Sequence, residues 1–346
     1  MKTVLLLTYS PRGTYRISGL KKYLPQFGWE TVMLPEEAEA VAQRPNRFGK
    51  LGFAARIAGE FLNYPCPDKW WMGRALKEAE KIIPNVDAIY ASSQPVSAHL
   101  VARQLCLKFG VPWIAELRDP WSQSHNYGYS GLRRYLDAEL EIKTLQTAGR
   151  IITLSKPWAD NLERLHNRYV DTVLDGFDPD EVNDPPEQLY DDFTTTYVGS
   201  VYPKKQNMDG LRRALTESRL FPNFRMVQGV GREESLEIQR KSHILVMLDW
   251  MTEKGVYTSK IFEYLAARRP IIAFGGQRGS VVDLLLQDTN AGYQIIEYKD
   301  LQKAFEQLFL VYTTHGTLPY SGVIPAINQY SQIETARRVA GVLNGD

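Results

Sequence analysis

The sequence predicts an α/β fold class: two Rossmann-like domains, each a parallel sheet covered by helices. Three observations predict it. Short apolar runs of strand length alternate with amphipathic helical patterns, as in a doubly wound parallel sheet. The alternation stops at Asn183-Asp-Pro-Pro-Glu187, a polar double-proline stretch that reads as a linker, and then restarts. The length of 346 residues allows two domains of ordinary size with well-buried cores.

The elements follow in order. Residues 4–8 read as a buried strand, 15–27 as a helix ended by Gly28, and 30–34 as a second strand. The apolar runs 88–91, 113–117, 151–154 and 171–174 are further strands, with helical patterns such as 96–109 and 157–166 between them. After the linker, strands are expected at 194–198, 224–228, 244–248, 271–274 and 292–296, again separated by helices. Residues 328–343 form a last amphipathic helix. The expected domains are 1–183 and 184–325, followed by a terminal helical segment, 326–346.

Composition excludes several classes. A formal net charge of +1 argues against a dedicated nucleic-acid binder, which carries a strongly basic face. Cys66 and Cys106 lie far apart without metal-type spacing, which argues against a disulfide framework or zinc site and points to a reducing cytosol. The apolar stretch 2–8 is far shorter than a signal core, and no apolar run approaches the length of a membrane span.

The most informative segment runs from Tyr257 to Phe274. Thr258 and Ser259 supply capping hydroxyls and Lys260 a cation at the start of an amphipathic helix. Glu263 lies about one turn further on, and Pro270 stops the helix before a buried strand. A helix N-terminus favours an anion through its free N–H groups and its dipole. A carboxylate in the next turn can accept two hydrogen bonds from a ribose diol. A nucleotide-sugar would therefore sit with diphosphate at the tip and ribose one turn in; the alternative is a capped surface helix with a solvated Glu263.

Other functional groups follow predicted strands. They are Ser10-Pro-Arg-Gly13, Ala91-Ser-Ser-Gln-Pro95, Leu117-Arg-Asp-Pro-Trp121, Leu154-Ser155, Asp175-Gly-Phe-Asp178, and Val198-Gly199 with Lys204-Lys205. In open parallel sheets ligands bind beyond the C-terminal strand ends, so with two such sheets the expected site is a cleft between them. Gly13 permits close backbone approach to a phosphate or sugar, with Arg12 or Arg16 adding charge. Gly176 fits a turn needing a positive backbone angle, and Trp121 could cover a sugar face. His99, His166 and His243 read as structural, and His315 sits in a polar loop. Residues 44–62 mix Arg44, Arg47, Lys50 and Arg56 with aromatic and aliphatic residues, followed by Trp70-Trp71. That pattern suits an anionic membrane surface or, alternatively, packing on the first domain.

Taken together, the helix and these segments resemble the retaining glycosyltransferases of glycosyltransferase family 4, which have the GT-B fold. The family signature is two Glu separated by seven residues; Glu263 matches the second, and Gly255 stands where the first would be. The resemblance implies that the terminal helix crosses back to the first, acceptor-side domain and that Asp175–Asp178 lies at the interdomain hinge. It implies that Arg118 and Asp119, with His125 a looser candidate, lie near the transferred sugar as catalytic residues. Gly13, Gly199, Lys205 or Lys204, Thr258, Ser259 and Lys260 would hold the donor diphosphate, and Glu263 the ribose. Ser200 occupies a position where the family typically has an arginine-like cation, and the backbone of Gly229-Val-Gly-Arg-Glu233 would meet the base.

The implied reaction moves a sugar from a nucleotide diphosphate donor, with a UDP-sugar expected, to a saccharide or polyprenyl-linked acceptor. It would proceed with retention and without metal or other cofactor, in cell-surface polysaccharide or glycoconjugate synthesis. The implied location is cytoplasmic, peripheral on the inner face of the plasma membrane. Two alternatives stand beside it: a catalytically inactive nucleotide-sugar binding module, suggested by Gly255 and Ser200, and a sugar-nucleotide epimerase, which would need paired carboxylates.

Overall fold

The computed structural model describes residues 1–9, 14–34, 59–182 and 188–345. The chain divides into two compact units, Met1–Leu174 with Thr335–Asp346, and Asp175–Glu334. The linker at 183–187, the Ser10–Gly13 loop and most of 44–62 lie outside the described residues.

Among the described residues the first unit holds six parallel strands: β1 (Lys2–Leu7), β2 (Trp29–Met33), β3 (Ala88–Ser93), β4 (Trp113–Leu117), β5 (Arg150–Thr153) and β6 (Asp171–Thr172), in the order β2-β1-β3-β4-β5-β6. Every residue of β3 and β4 is buried, as a parallel sheet with helices on both faces requires. Those helices are α1 (Thr14–Tyr23), α2 (Trp71–Ile82), α3 (Ser97–Phe109), α4 (Gly131–Leu145) and α5 (Lys156–His166). The helix expected at 15–27 is divided: α1 ends at Tyr23, and Leu24–Phe27 winds as a 3-10 turn. Pro25 lacks the N–H that would continue the α pattern, and Gly28 closes the turn at φ 88°.

Two buried cations organise this unit. Arg16 on α1 is ion-paired with Glu116 in β4, and both side chains are fully buried. Arg16 also donates to the carbonyls of Leu174 and Val173, at 2.8 and 3.1 Å. Thr335 Oγ1 donates to the Leu174 carbonyl as well, at 3.0 Å. Side chains thus take the carbonyls that would extend β6, so that strand ends at Thr172 and not at the expected 174. Arg16 is a structural cation, not the phosphate ligand that the sequence suggested.

The second cation is Arg133 on α4. Its Nε donates to both oxygens of Asp137 at 3.1 Å, its Nη1 to the Glu60 carbonyl, and its Nη2 to the Pro65 carbonyl at 2.6 Å. The guanidinium packs over Tyr64 and Tyr129, 4.8 and 4.6 Å from the ring centroids. His99 is buried without a polar partner among the described residues, and burial lowers its pKa to about 4. That is the structural role expected for it.

The second unit has five parallel strands: β7 (Thr195–Val198), β8 (Phe224–Val227), β9 (Ile244–Asp249), β10 (Ile271–Gly275) and β11 (Gly292–Ile295), in the order β11-β10-β9-β7-β8. Its helices are α6 (Met208–Glu217), α7 (Arg232–Lys241), α8 (Ser259–Ala267), α9 (Val281–Thr289), α10 (Tyr298–His315) and α11 (Ile324–Asn328). His315 is the last residue of α10 and not a loop residue. The terminal helix α12 (Gln332–Asn344) belongs from Thr335 onward to the first unit, where Trp29 Nε1 donates to Asn344 Oδ1 at 3.3 Å.

Gly176 has a different rationale from the one expected. It is not among the positive-φ residues. A Cβ there would come within 2.4 Å of the Ser331 carbonyl carbon, because this segment pairs closely with 330–332. Phe177 donates to the Tyr330 carbonyl at 3.0 Å, and Gln332 to the Phe177 carbonyl at 2.8 Å. Asp178 caps the turn that follows, accepting from the Asp180 N–H at 3.0 Å.

Candidate functional site

In the second unit the strand order reverses between β7 and β9, the point where open α/β sheets bind ligands. The two strands pair only at Thr195–Ile244 and Thr196–Leu245, and then part. The fully buried Tyr264 of α8 enters the gap. Its hydroxyl accepts from the Val198 N–H at 3.0 Å and donates to the Val246 carbonyl at 3.2 Å. A side chain thus replaces the missing ladder bonds and fastens α8 to the switch point. Tyr264→Phe is expected to leave that buried N–H and carbonyl unpaired and to cost about 2–6 kcal/mol, at 1–3 kcal/mol for each. A urea melt within 0.5 kcal/mol of wild type would contradict this role.

Fastened in this way, α8 brings two of the expected donor residues together. Gly199 follows β7 at φ 106°, and a Cβ on it would lie 2.9 Å from Lys260 Cε and Nζ. The lysine therefore lies directly over the glycine. Lys260 Nζ donates to Tyr197 Oη at 2.9 Å and sits 4.2 Å from that ring's centroid. Burial lowers the Lys260 pKa to about 8, with Glu263 acting in the opposite direction. A partly desolvated cation with no carboxylate in direct contact among the described residues is suited to meet an anion.

The rest of the helix start is arranged around it. Thr258 occupies the N-cap position, but its hydroxyl makes no capping bond, and Ser259 is exposed. Glu263 accepts from Arg232 Nη1 at 2.8 Å and from Gln239 Nε2 at 3.1 Å, so its carboxylate is fixed in direction. Arg232 also binds Glu181. Lys205 Nζ lies 5.1 Å from the Trp250 ring centroid, and Lys204 is exposed in the left-handed region at φ 69°. At the end of β9, Asp249 accepts from the Trp250 N–H at 2.8 Å, Ser280 Oγ at 2.9 Å and Gln294 Nε2 at 2.7 Å. Burial pushes its pKa up to about 6.

Sequence reasoning missed Tyr197, Tyr264, Arg232 and Asp249. Apart from Trp250 beside Asp249 and the Ser200 carbonyl three residues after Tyr197, these partners are 18 to 66 residues away in sequence, so local spacing does not mark them.

In the first unit, the loop after β4 carries Arg118 and Asp119, both half-buried. Trp121 is almost wholly buried in the hydrophobic core, which limits the sugar-covering role expected of it. Glu141, fully buried, accepts from the Ser122 N–H at 2.9 Å and faces His166 Nε2 at 3.3 Å. The His125 ring stacks on Trp158 at 5.7 Å and pairs with Asn126 at 2.8 Å. Gly13 lies outside the described residues.

Residues 14–174 match the family described as "Glycosyl transferase 4-like domain". No curated protein matches the chain by sequence. Among solved structures, the HepE protein of Anabaena in complex with UDP-glucose aligns over 100% of both chains, at a TM-score of 0.66 and 12% identity. A sucrose-phosphate synthase of Thermosynechococcus elongatus aligns over 100% of this chain and 99% of its own, at 0.62 and 12% identity. A glycosyltransferase from Rickettsia africae aligns over 98% of this chain and 93% of its own, at 0.57 and 12% identity. The fold of this chain is that of these proteins, GT-B.

Proposed function

We propose that this chain, which has the GT-B fold and a glycosyl transferase 4-like domain over residues 14–174, is a retaining, metal-independent glycosyltransferase. It moves a sugar from a UDP-sugar donor to a saccharide or lipid-linked acceptor in the making of a surface polysaccharide or glycoconjugate. The observation that carries the reading is the meeting of Gly199 and Lys260 at the switch point, with Glu263 one turn into α8. A neighbour of the same fold that binds UDP-glucose supports uridine as the base.

In this reading the Gly199 backbone, Lys260 and the N–H groups at the start of α8 take the diphosphate. They stabilise the charge that develops as the glycosidic bond to it breaks. Glu263, directed by Arg232 and Gln239, accepts the ribose hydroxyls. Lys205 and Lys204 add positive charge from the same loop. Arg118 and Asp119, with His125 beside them, act at the transferred sugar. The stretch 44–62 is the contact with an anionic membrane face; Leu62 and Trp70, 68% and 75% exposed, continue it among the described residues.

Glu263→Gln is expected to weaken UDP binding about ten- to a hundred-fold, as loss of a charge-assisted bond of about 1.5–3 kcal/mol requires. The loss should shrink for 2′-deoxy-UDP, which lacks one of the hydroxyls. Calorimetry with both ligands decides it, and unchanged UDP affinity would refute the ribose role. Gly255 favours a second reading, a module that binds the donor without turning it over. Absence of UDP release from any UDP-sugar in the presence of acceptor saccharides, with tight UDP binding retained, is its signature.

A further inference from the structure

Within the first unit lies a cavity of about 340 Å³, of whose lining the donor reading uses Asp119 alone. Its lining includes Gln94 from the turn after β3, Asp119, Trp121, Asn126 and Tyr127 from the loop after β4, and Tyr129 just before α4. Asp137 also lines it, and Tyr127 Oη donates to Asp137 at 2.6 Å. The volume is at the lower end of the range that holds small ligands, roughly 300–1,000 Å³. It suits one sugar ring and not an extended chain.

The chemistry of the walls is specific. Aromatic side chains, two amides and a carboxylate are groups that can hold a polyhydroxylated ring, apolar on its faces and polar at its edge. The charge is one-sided. The described lining contains two carboxylates and no lysine, arginine or histidine. Asp137 is already matched by the buried Arg133, and Asp119 is left as the carboxylate that a ligand would meet. An anionic ligand entering here would lose its hydration and face a like charge, which several kcal/mol of contacts would have to overcome.

Resting on the glycosyltransferase reading, we propose that this cavity is the acceptor subsite and that it selects a neutral pyranose end, rejecting uronic acids and phosphorylated sugars. Asp119, which the donor reading sets at the transferred sugar, accepts from an acceptor hydroxyl there, and Gln94 and Asn126 fix the ring's edge.

The test is saturation-transfer NMR on the full chain with methyl β-D-glucoside, methyl β-D-galactoside, methyl N-acetyl-β-D-glucosaminide and methyl β-D-glucuronide. At least one neutral glycoside should bind, and at least tenfold more tightly than the glucuronide. Gly128→Phe adds bulk at the cavity lining. A Cβ there meets only the Asn126 carbonyl oxygen, at 4.0 Å, so the branch point itself is accommodated. That variant, and the Gln94→Ala/Asn126→Ala double variant, should lose glycoside binding at least tenfold while binding UDP as wild type does. Failure of every neutral glycoside to bind, a preference for the glucuronide, or binding untouched by both variants would each overturn the proposal. UDP calorimetry on the same samples separates the two readings, since wild type that takes up a glycoside but not UDP would refute the donor site alone.

Discussion

Arg16→Met is expected to destabilise the first unit by about 3–5 kcal/mol, because it strands a carboxylate in the interior of a sheet. Glu116 is fully buried in β4, where Arg16 is its ion-pair partner and Ser92 Oγ donates to it at 2.7 Å. Stability of a domain is about 5–15 kcal/mol, so the loss is a large share of the whole. The double variant Arg16→Met/Glu116→Leu should recover part of it, since an apolar pair of similar volume often replaces a buried ion pair without penalty. Recovery should be incomplete. The carbonyls of Val173 and Leu174 lose their Arg16 donors in both variants. Urea unfolding of the three proteins would test this. A single variant within 1 kcal/mol of wild type would mean that the pair is hydrated and contributes little.

The second large effect concerns ligand binding. Lys260→Met should weaken UDP binding about ten- to a hundred-fold at pH 7, and should leave binding of uridine, which has no phosphate, nearly unchanged. The pH dependence gives a sharper signature. The free lysine titrates at about 8, depressed by burial, and a bound diphosphate would raise it. Binding then takes up a proton above that pH. Affinity is therefore full below about pH 8 and falls by up to tenfold per unit as pH rises beyond it. The methionine variant should show no such fall. Calorimetry at pH 7, 8 and 9 decides the matter; a wild-type affinity that is flat to pH 9 would remove Lys260 from the diphosphate site.

The alternation of elements was legible because the strands of a parallel sheet are buried on both faces. Runs such as Trp113–Leu117 and Ile271–Gly275 therefore carry apolar residues almost without interruption. The start of α8 was legible for a local reason: hydroxyls, a cation and a carboxylate within six residues mark a helix N-terminus. Helix α4 escaped because its buried face carries Arg133, Asp137 and Glu141 at a four-residue spacing, which masks the apolar period. Arg16 misled for a related reason. Its position after β1 suits a phosphate ligand, and nothing nearby in sequence shows that Glu116 lies beneath it. Gly176 was recognised as a special glycine, but its reason, the approach of Ser331, is a long-range one.

Arg133 has a consequence for how the first unit responds to its surroundings. Its three nitrogens tie together the carbonyls of Glu60 and Pro65 and the carboxylate of Asp137, which border or lead into the cavity wall. A guanidinium does not lose its proton at any pH at which the chain stays folded, and a pair this deeply buried is little screened by salt. The ties that this guanidinium makes to the two carbonyls are consequently insensitive to acidity and ionic strength, and they are made before any ligand arrives. A ring entering the cavity meets a surface whose ordering entropy has already been lost in folding, so weak individual contacts can still discriminate between closely similar sugars.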